Sequence, residues 1–168
     1  MIFRQEPSSP AATYARALAL GVVSGLRSMT GLAALAVASR PGRPRPLVAD
    51  LPAPWRLFGT RGALLGFGLA AVGEYVGDKL PATPSRLEPL PLTGRLVIGA
   101  TTGATICRAK GASPVVGGVL GALGALGGAY AGYRYRTDLA RLTGAPDLPL
   151  ALLEDGAAIA IAGGATGD

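Results

Sequence analysis

Histidine is absent from the sequence and cysteine occurs once, as Cys107. These absences exclude an internal disulfide, zinc sites built from His and Cys, and catalysis by a histidine base. Charge is scarce as well. Asp, Glu, Lys and Arg make up 15% of the residues, against about a quarter in ordinary soluble domains. A soluble chain of 168 residues needs a charged outer surface, and this one has little to build it from. Aromatic residues are few, with one Trp, three Phe and five Tyr, so base stacking has little support. The net charge of +6 therefore does not indicate nucleic acid. The arginines flank apolar runs instead, as they do beside membrane spans. The first ten residues mix Arg4, Glu6, Pro7 and Pro10 and do not read as a removable signal peptide.

Small and apolar residues are abundant. Hydrophobic residues reach 49%, with 26 glycines and 14 prolines. Disorder requires low hydrophobicity, so the glycines read as close helix packing in lipid. The expectation is one all-α domain over residues 1–168, an integral membrane bundle of about five Gly/Ala-rich transmembrane helices. The spans fall at about 11–39, 60–78, 90–109, 111–133 and 148–166. Only the fourth reaches spanning length without a charge, from Gly111 to Tyr133, since a span takes about 20 residues. Arg40 to Pro46, Pro81 to Pro91 and Thr137 to Pro149 read as loops, and Trp55 as an interfacial anchor. In the fourth span Gly117 and Gly121, then Gly124, Gly128 and Gly132, recur at four-residue spacing, which lines one face with small residues for helix packing. A short match, Ser24-Gly25-Leu26-Arg27 against Thr93-Gly94-Arg95-Leu96, hints at a weak internal repeat.

The other four spans carry ionisable residues. A charge at membrane depth costs roughly 2.5 kcal/mol or more and faces a partner or water. Arg27 stands between Ala17–Leu26 and Ser28–Ser39, neither long enough alone. Glu74 and Asp78 are four apart and share a helix face. Glu154 and Asp155 lie two turns inside a span that begins at Leu148. Arg95 interrupts the third span. The expectation is an ion pair between Arg27 and Glu74, Glu154 or Asp155. The candidate pathway comprises Arg27, Glu74, Asp78, Arg95, Glu154 and Asp155, with Thr30, Thr101 and Thr102 as neutral ligands. No cofactor and no metal site is expected.

Gly25-Leu26-Arg27-Ser28-Met29-Thr30-Gly31, Glu74-x-x-x-Asp78-Lys79-Leu80-Pro81, Pro84-Ser85-Arg86, Gly94-Arg95 and Glu154-Asp155 together resemble the domain-of-unknown-function 4126 family of small bacterial membrane proteins. The resemblance runs from about Leu20 to Ala160. It implies a multi-pass protein of the cell inner membrane with a Gly-rich helical bundle, and it carries no activity. Glu74-x-x-Gly77-Asp78-Lys79 is also faintly similar to a motif of cation exchangers that is one residue shorter.

The functional expectation is a transporter or channel for a small ion or polar solute. The alternative is an accessory or scaffold subunit of a larger membrane complex. An enzyme is not expected, because the nucleophile and base are lacking. Expected partners are the lipid bilayer and a homo-oligomer or larger complex. Five spans would put eight Lys and Arg on one side and seven on the other. So even a balance would leave orientation weakly set and allow an antiparallel dimer.

Overall fold

The computed structural model describes residues 9–77, 87–143 and 147–167. Among these residues the chain is all helical: α1 (Pro10–Leu26), α2 (Ser28–Ser39), α3 (Arg61–Gly77), α4 (Pro89–Ala109), α5 (Pro114–Thr143) and α6 (Asp147–Thr166), with a 3-10 turn at Trp55–Gly59. Local chemistry sets several of the boundaries. The Ser9 hydroxyl accepts from the Ala12 amide and Pro10 follows it, so α1 starts with a capped first turn. Gly111 sits at φ +74°, the left-handed conformation that ends α4 and lets α5 begin three residues later.

The first apolar stretch is not one span. α1 stops at Leu26, Arg27 is extended, and α2 starts at Ser28. A Cβ on Gly31 would lie 2.7 Å from Ser24 Oγ and 3.5 Å from the Leu20 carbonyl oxygen. In a continuous helix Leu20 and Gly31 would stand about 16 Å apart. The chain therefore folds back at Arg27, and α2 lies against α1. This corrects the expected span at 11–39.

The remaining pairs fix the direction of each helix. Glu74 of α3 meets Ser28, while Gly59, just before α3, meets Ser39. Arg95 of α4 reaches Gly25, and Gly103 of α4 abuts Gly117 of α5. Asp155 of α6 meets Arg27, and Arg16 of α1 donates to the carbonyls of Ala165 and Gly167. Neighbours in sequence thus alternate in direction through six helices. The start of α1 and the end of α6 share one end of the bundle, the terminal end, and Arg27 lies toward the other. The arginines of the short repeat are not equivalent: Arg27 follows the end of α1, whereas Arg95 lies inside α4, so the structure gives that match no equivalence.

Six helices also change the charge count. Among the described residues Arg16, Arg40, Arg43, Arg45, Arg56, Arg61, Arg108 and Lys110 lie toward the terminal end. Arg134, Arg136 and Arg141 lie at the other, with Arg27 and Arg95 buried. Among the described residues these cations number eight against three; Lys79 and Arg86, which entered the near-even balance drawn from five spans, lie outside the described residues. α5 also runs on to Thr143, so Thr137 to Thr143 is helix and not loop. Arg134 and Asp138, one turn apart and 3.8 Å from each other, lie on this extension.

The helices touch through glycine. A Cβ on Gly21 or Gly121 would overlap a backbone carbonyl of the neighbouring helix, and Gly99, Gly103, Gly117, Gly124 and Gly128 are similarly enclosed. Gly117 and Gly121 face α4, while Gly124 and Gly128 face α1; Gly132 is buried further along. The glycine face of α5 is thus used inside the chain. α3 is the opposite case. It buries Ala71 and leaves Leu65, Leu69, Val72 and Val76 between 59% and 72% exposed. By length and composition one helix, Pro114–Leu139, suffices to cross a membrane, and α2 is apolar but short. Five spanning helices are not what the described helices present.

Adding a methyl group at Gly121 is expected to destabilise by ~1–3 kcal/mol, because the atoms it meets are backbone. Gly127, with nothing within 4 Å, is the matched control, and Gly127→Ala is expected to be neutral or stabilising by up to ~1 kcal/mol. Thermal melts of both variants in detergent compare the two directly.

Candidate ion-pair site

The reversal at Arg27 creates a local problem. A helix end leaves amides or carbonyls without intrahelical partners, and this reversal lies inside the bundle. α4 extends about 9 Å beyond Arg95, and α6 about 10 Å beyond Glu154, at 1.5 Å per residue. Arg27 is fully buried and Arg95 is 6% exposed. Charged side chains from α3 and α4 supply the missing partners.

Glu74 closes the start of α2. Its Oε1 accepts from the Ser28 amide at 2.7 Å and the Ser28 hydroxyl at 2.8 Å, and its Oε2 accepts from the Met29 amide at 2.8 Å. A carboxylate at a helix N-terminus also meets the positive end of the helix dipole. Arg95 closes the end of α1. Its Nη1 donates to the carbonyls of Gly25 at 3.0 Å and Leu26 at 3.1 Å. Arg95 Nη2 lies 3.6 Å from Glu74 Oε1. One ion pair thus spans the two helix ends that the reversal exposes.

Arg27 itself points across the break. Its Nε donates to Asp155 Oδ1 at 2.6 Å, and its Nη2 lies 3.8 Å from Glu154 Oε2. Its guanidinium carbon lies 5.7 Å from the centre of the Tyr75 ring, within cation–π range. The Tyr75 hydroxyl is 2.7 Å from Thr30 Oγ1. Glu154 also borders a cavity of about 230 Å³ with Leu26, Gly132, Tyr135 and Leu153. The site thus joins buried acids on α6 to an opening between α1, α5 and α6.

Arg27, Glu74, Arg95, Glu154, Asp155 and Thr30 therefore come together. Asp78 lies outside the described residues. Thr101 and Thr102 do not join the cluster: Thr101 Oγ1 donates to the Val97 carbonyl and Thr102 Oγ1 to that of Gly99, each along its own helix. Thr101 lines an apolar groove elsewhere. The structure places both outside the cluster. A hydroxyl in a helix readily bonds back to the preceding turn, so composition alone did not exclude it. Ser28 and Tyr75 were not singled out from the sequence. Their signal was position, Ser28 beside Arg27 and Tyr75 beside Glu74.

The family model for the domain of unknown function DUF4126 matches residues 15–166. The chain belongs to the DUF4126 family. No curated protein and no solved structure matches it. The matched region covers α1 through α6 almost completely, so every residue of the ion-pair site lies within the DUF4126 region. Among the described residues no group of three or more His, Cys, Asp or Glu is placed to hold a metal ion.

Removing Arg27 leaves two acids in the bundle facing the site it occupied, which costs ~3–5 kcal/mol for a buried pair. Arg27→Met is therefore expected to lower stability more than Arg27→Met combined with Asp155→Leu. Unfolding midpoints of the parent, the single variant and the double variant form the test. A double variant as unstable as Arg27→Met alone would remove the pair as the cause.

Proposed function

We propose that this chain is an integral membrane protein that moves a proton or a small cation, with Glu154 as the exchanging group. The observation that carries the reading is the position of Glu154, in reach of a buried arginine on one side and of a cavity on the other. Three carboxylates, Glu74, Glu154 and Asp155, accompany two guanidinium groups in the cluster. A cation in the cavity beside Glu154 would meet a carboxylate of opposite charge, whereas an anion would meet one of like charge.

The membrane part of the reading rests on the bundle's exterior. α3 presents an apolar stripe to the outside, and α5 adds Val115, Val119, Leu123 and Leu126, all more than 40% exposed. Continuous apolar surface of this kind is unstable in water and natural in lipid. A short helical hairpin with its tip inside the protein is also how irregular backbone is accommodated at membrane depth. The cation excess among the described residues favours the orientation with the terminal end in the cytoplasm. The count is the same whether the α1–α2 hairpin crosses the bilayer or enters and returns.

A scaffold role has its own support. Glu74 and Arg95 are committed to helix ends, and the Gly-to-Gly contacts lock α1, α4 and α5. Such a rigid body would suit a subunit of a larger complex.

Proteoliposomes distinguish the two readings. Glu154→Gln is expected to abolish pH-dependent cation or proton flux while the protein still reconstitutes. No flux of any tested ion in the parent, together with a partner that co-purifies in fixed stoichiometry, would favour the scaffold. Reporter fusions at the C-terminus are expected to be active in the cytoplasm-reporting form. Strong activity of the periplasm-reporting form would overturn the orientation.

A further inference from the structure

At the terminal end of the bundle, far from the ion pairs, an apolar groove of about 710 Å³ runs between the 3-10 turn, α3, α4 and the start of α5. Its volume falls within the range of small-molecule sites, about 300–1,000 Å³. Trp55, Phe58 and Phe67 form one wall, with the two Phe rings stacked 5.9 Å apart. Ala104 and Gly118 keep the opposite wall low. The two hydroxyl groups along it are already engaged, Thr60 Oγ1 with the Leu57 carbonyl and Thr101 Oγ1 with that of Val97. The interior therefore offers a ligand hydrocarbon contact and little polar recognition.

Charge stands close by in the sequence. Arg56 lies within the 3-10 turn between two lining residues, Arg61 follows lining residue Thr60, and Arg108 stands one turn beyond lining residue Ala104 on the same face of α4. All three are exposed. Among the described residues Asp50 is the one acid toward this end. An apolar slot with exposed arginines within one turn of its lining residues complements a molecule with a hydrocarbon tail and a negative head.

We propose that this groove binds one anionic phospholipid, its acyl chain along Phe58, Phe67 and Ala104 and its phosphate at Arg56 and Arg108. This rests on the membrane reading above and on the orientation it gives, which places the groove at the cytoplasmic leaflet, where anionic headgroups and basic side chains attract. A zwitterionic lipid would fill the slot without engaging those arginines. A second copy of the chain would have to bring its own acids to the same cations.

The test is native mass spectrometry of the detergent-purified full chain after mixing with phosphatidylglycerol or phosphatidylcholine in matched micelles. The parent is expected to retain one phosphatidylglycerol about tenfold or more over phosphatidylcholine. Arg56→Gln with Arg108→Gln is expected to erase that preference while keeping weak binding of both lipids, and these exposed positions leave the core intact. Ala104→Trp is expected to lose both lipids by filling the slot. Equal retention of the two lipids by the parent, a preference unchanged in the Gln variant, or a dimer that excludes lipid overturns the proposal. Release of the chain from membranes by alkaline carbonate would instead fail the membrane reading, a result separable from lipid preference.

Discussion

A chain reversal inside a helical bundle exposes amides at one helix start and carbonyls at one helix end, and the rest of this structure is arranged around supplying those partners. Each unsatisfied group would cost several kcal/mol in an apolar setting. Glu74 and Arg95 meet the two ends with charges of the matching sign and meet each other at 3.6 Å. Their helices are held accordingly. α3 must bring its last turns to Ser28, and α4 must bring its second turn to Leu26. The position of Arg27 follows, because an extended residue between two capped ends can direct its side chain away from both helices and toward α6.

The glycine contacts serve the same constraint at longer range. Arg95 reaches the end of α1 only if α4 and α1 both lie close to α5. Gly99 and Gly103 against Gly117 and Gly121, and Gly21 against Gly121, allow the backbones to meet with no side chain between them. Small residues bring helices together in lipid through packing and not through hydrophobic drive. The high glycine content and the buried arginines are therefore linked: the first permits the approach that the second requires.

Much of the site was legible from the sequence because a charge within an apolar run is costly and must have a reason. Arg27, Glu74, Arg95, Glu154 and Asp155 stood out on that ground, and the all-helical class followed from the apolar runs. The reversal was not legible. Ala17 to Ser39 is apolar on both sides of Arg27, and an arginine that interrupts such a run does not by itself say that the chain turns back there. The pieces hinted otherwise by their lengths and by Gly25, Ser28, Thr30 and Gly31 around the break, residues that tolerate close approach and irregular backbone. The end of α5 was lost for the opposite reason. Thr137 to Pro149 reads as a loop, yet no glycine or proline interrupts the chain between Tyr133 and Thr143, and Arg134 and Asp138, one turn apart, support a helix there.

The cluster divides into two parts with different physical roles. Glu74 is held by two backbone amides and a hydroxyl, so neutralising it would weaken the start of α2 as well as its contact with Arg95. Charge at that position is tied to the fold. Glu154 approaches Arg27 at 3.8 Å, a longer contact than the 2.6 Å between Arg27 and Asp155, and it borders a cavity. Glu154 is not among the groups that cap the ends of α1 and α2. Exchange at one acid is compatible with a stable bundle only if the other charges are anchored independently of it. The Glu74–Arg95 pair, bound to the two helix ends, supplies that independence.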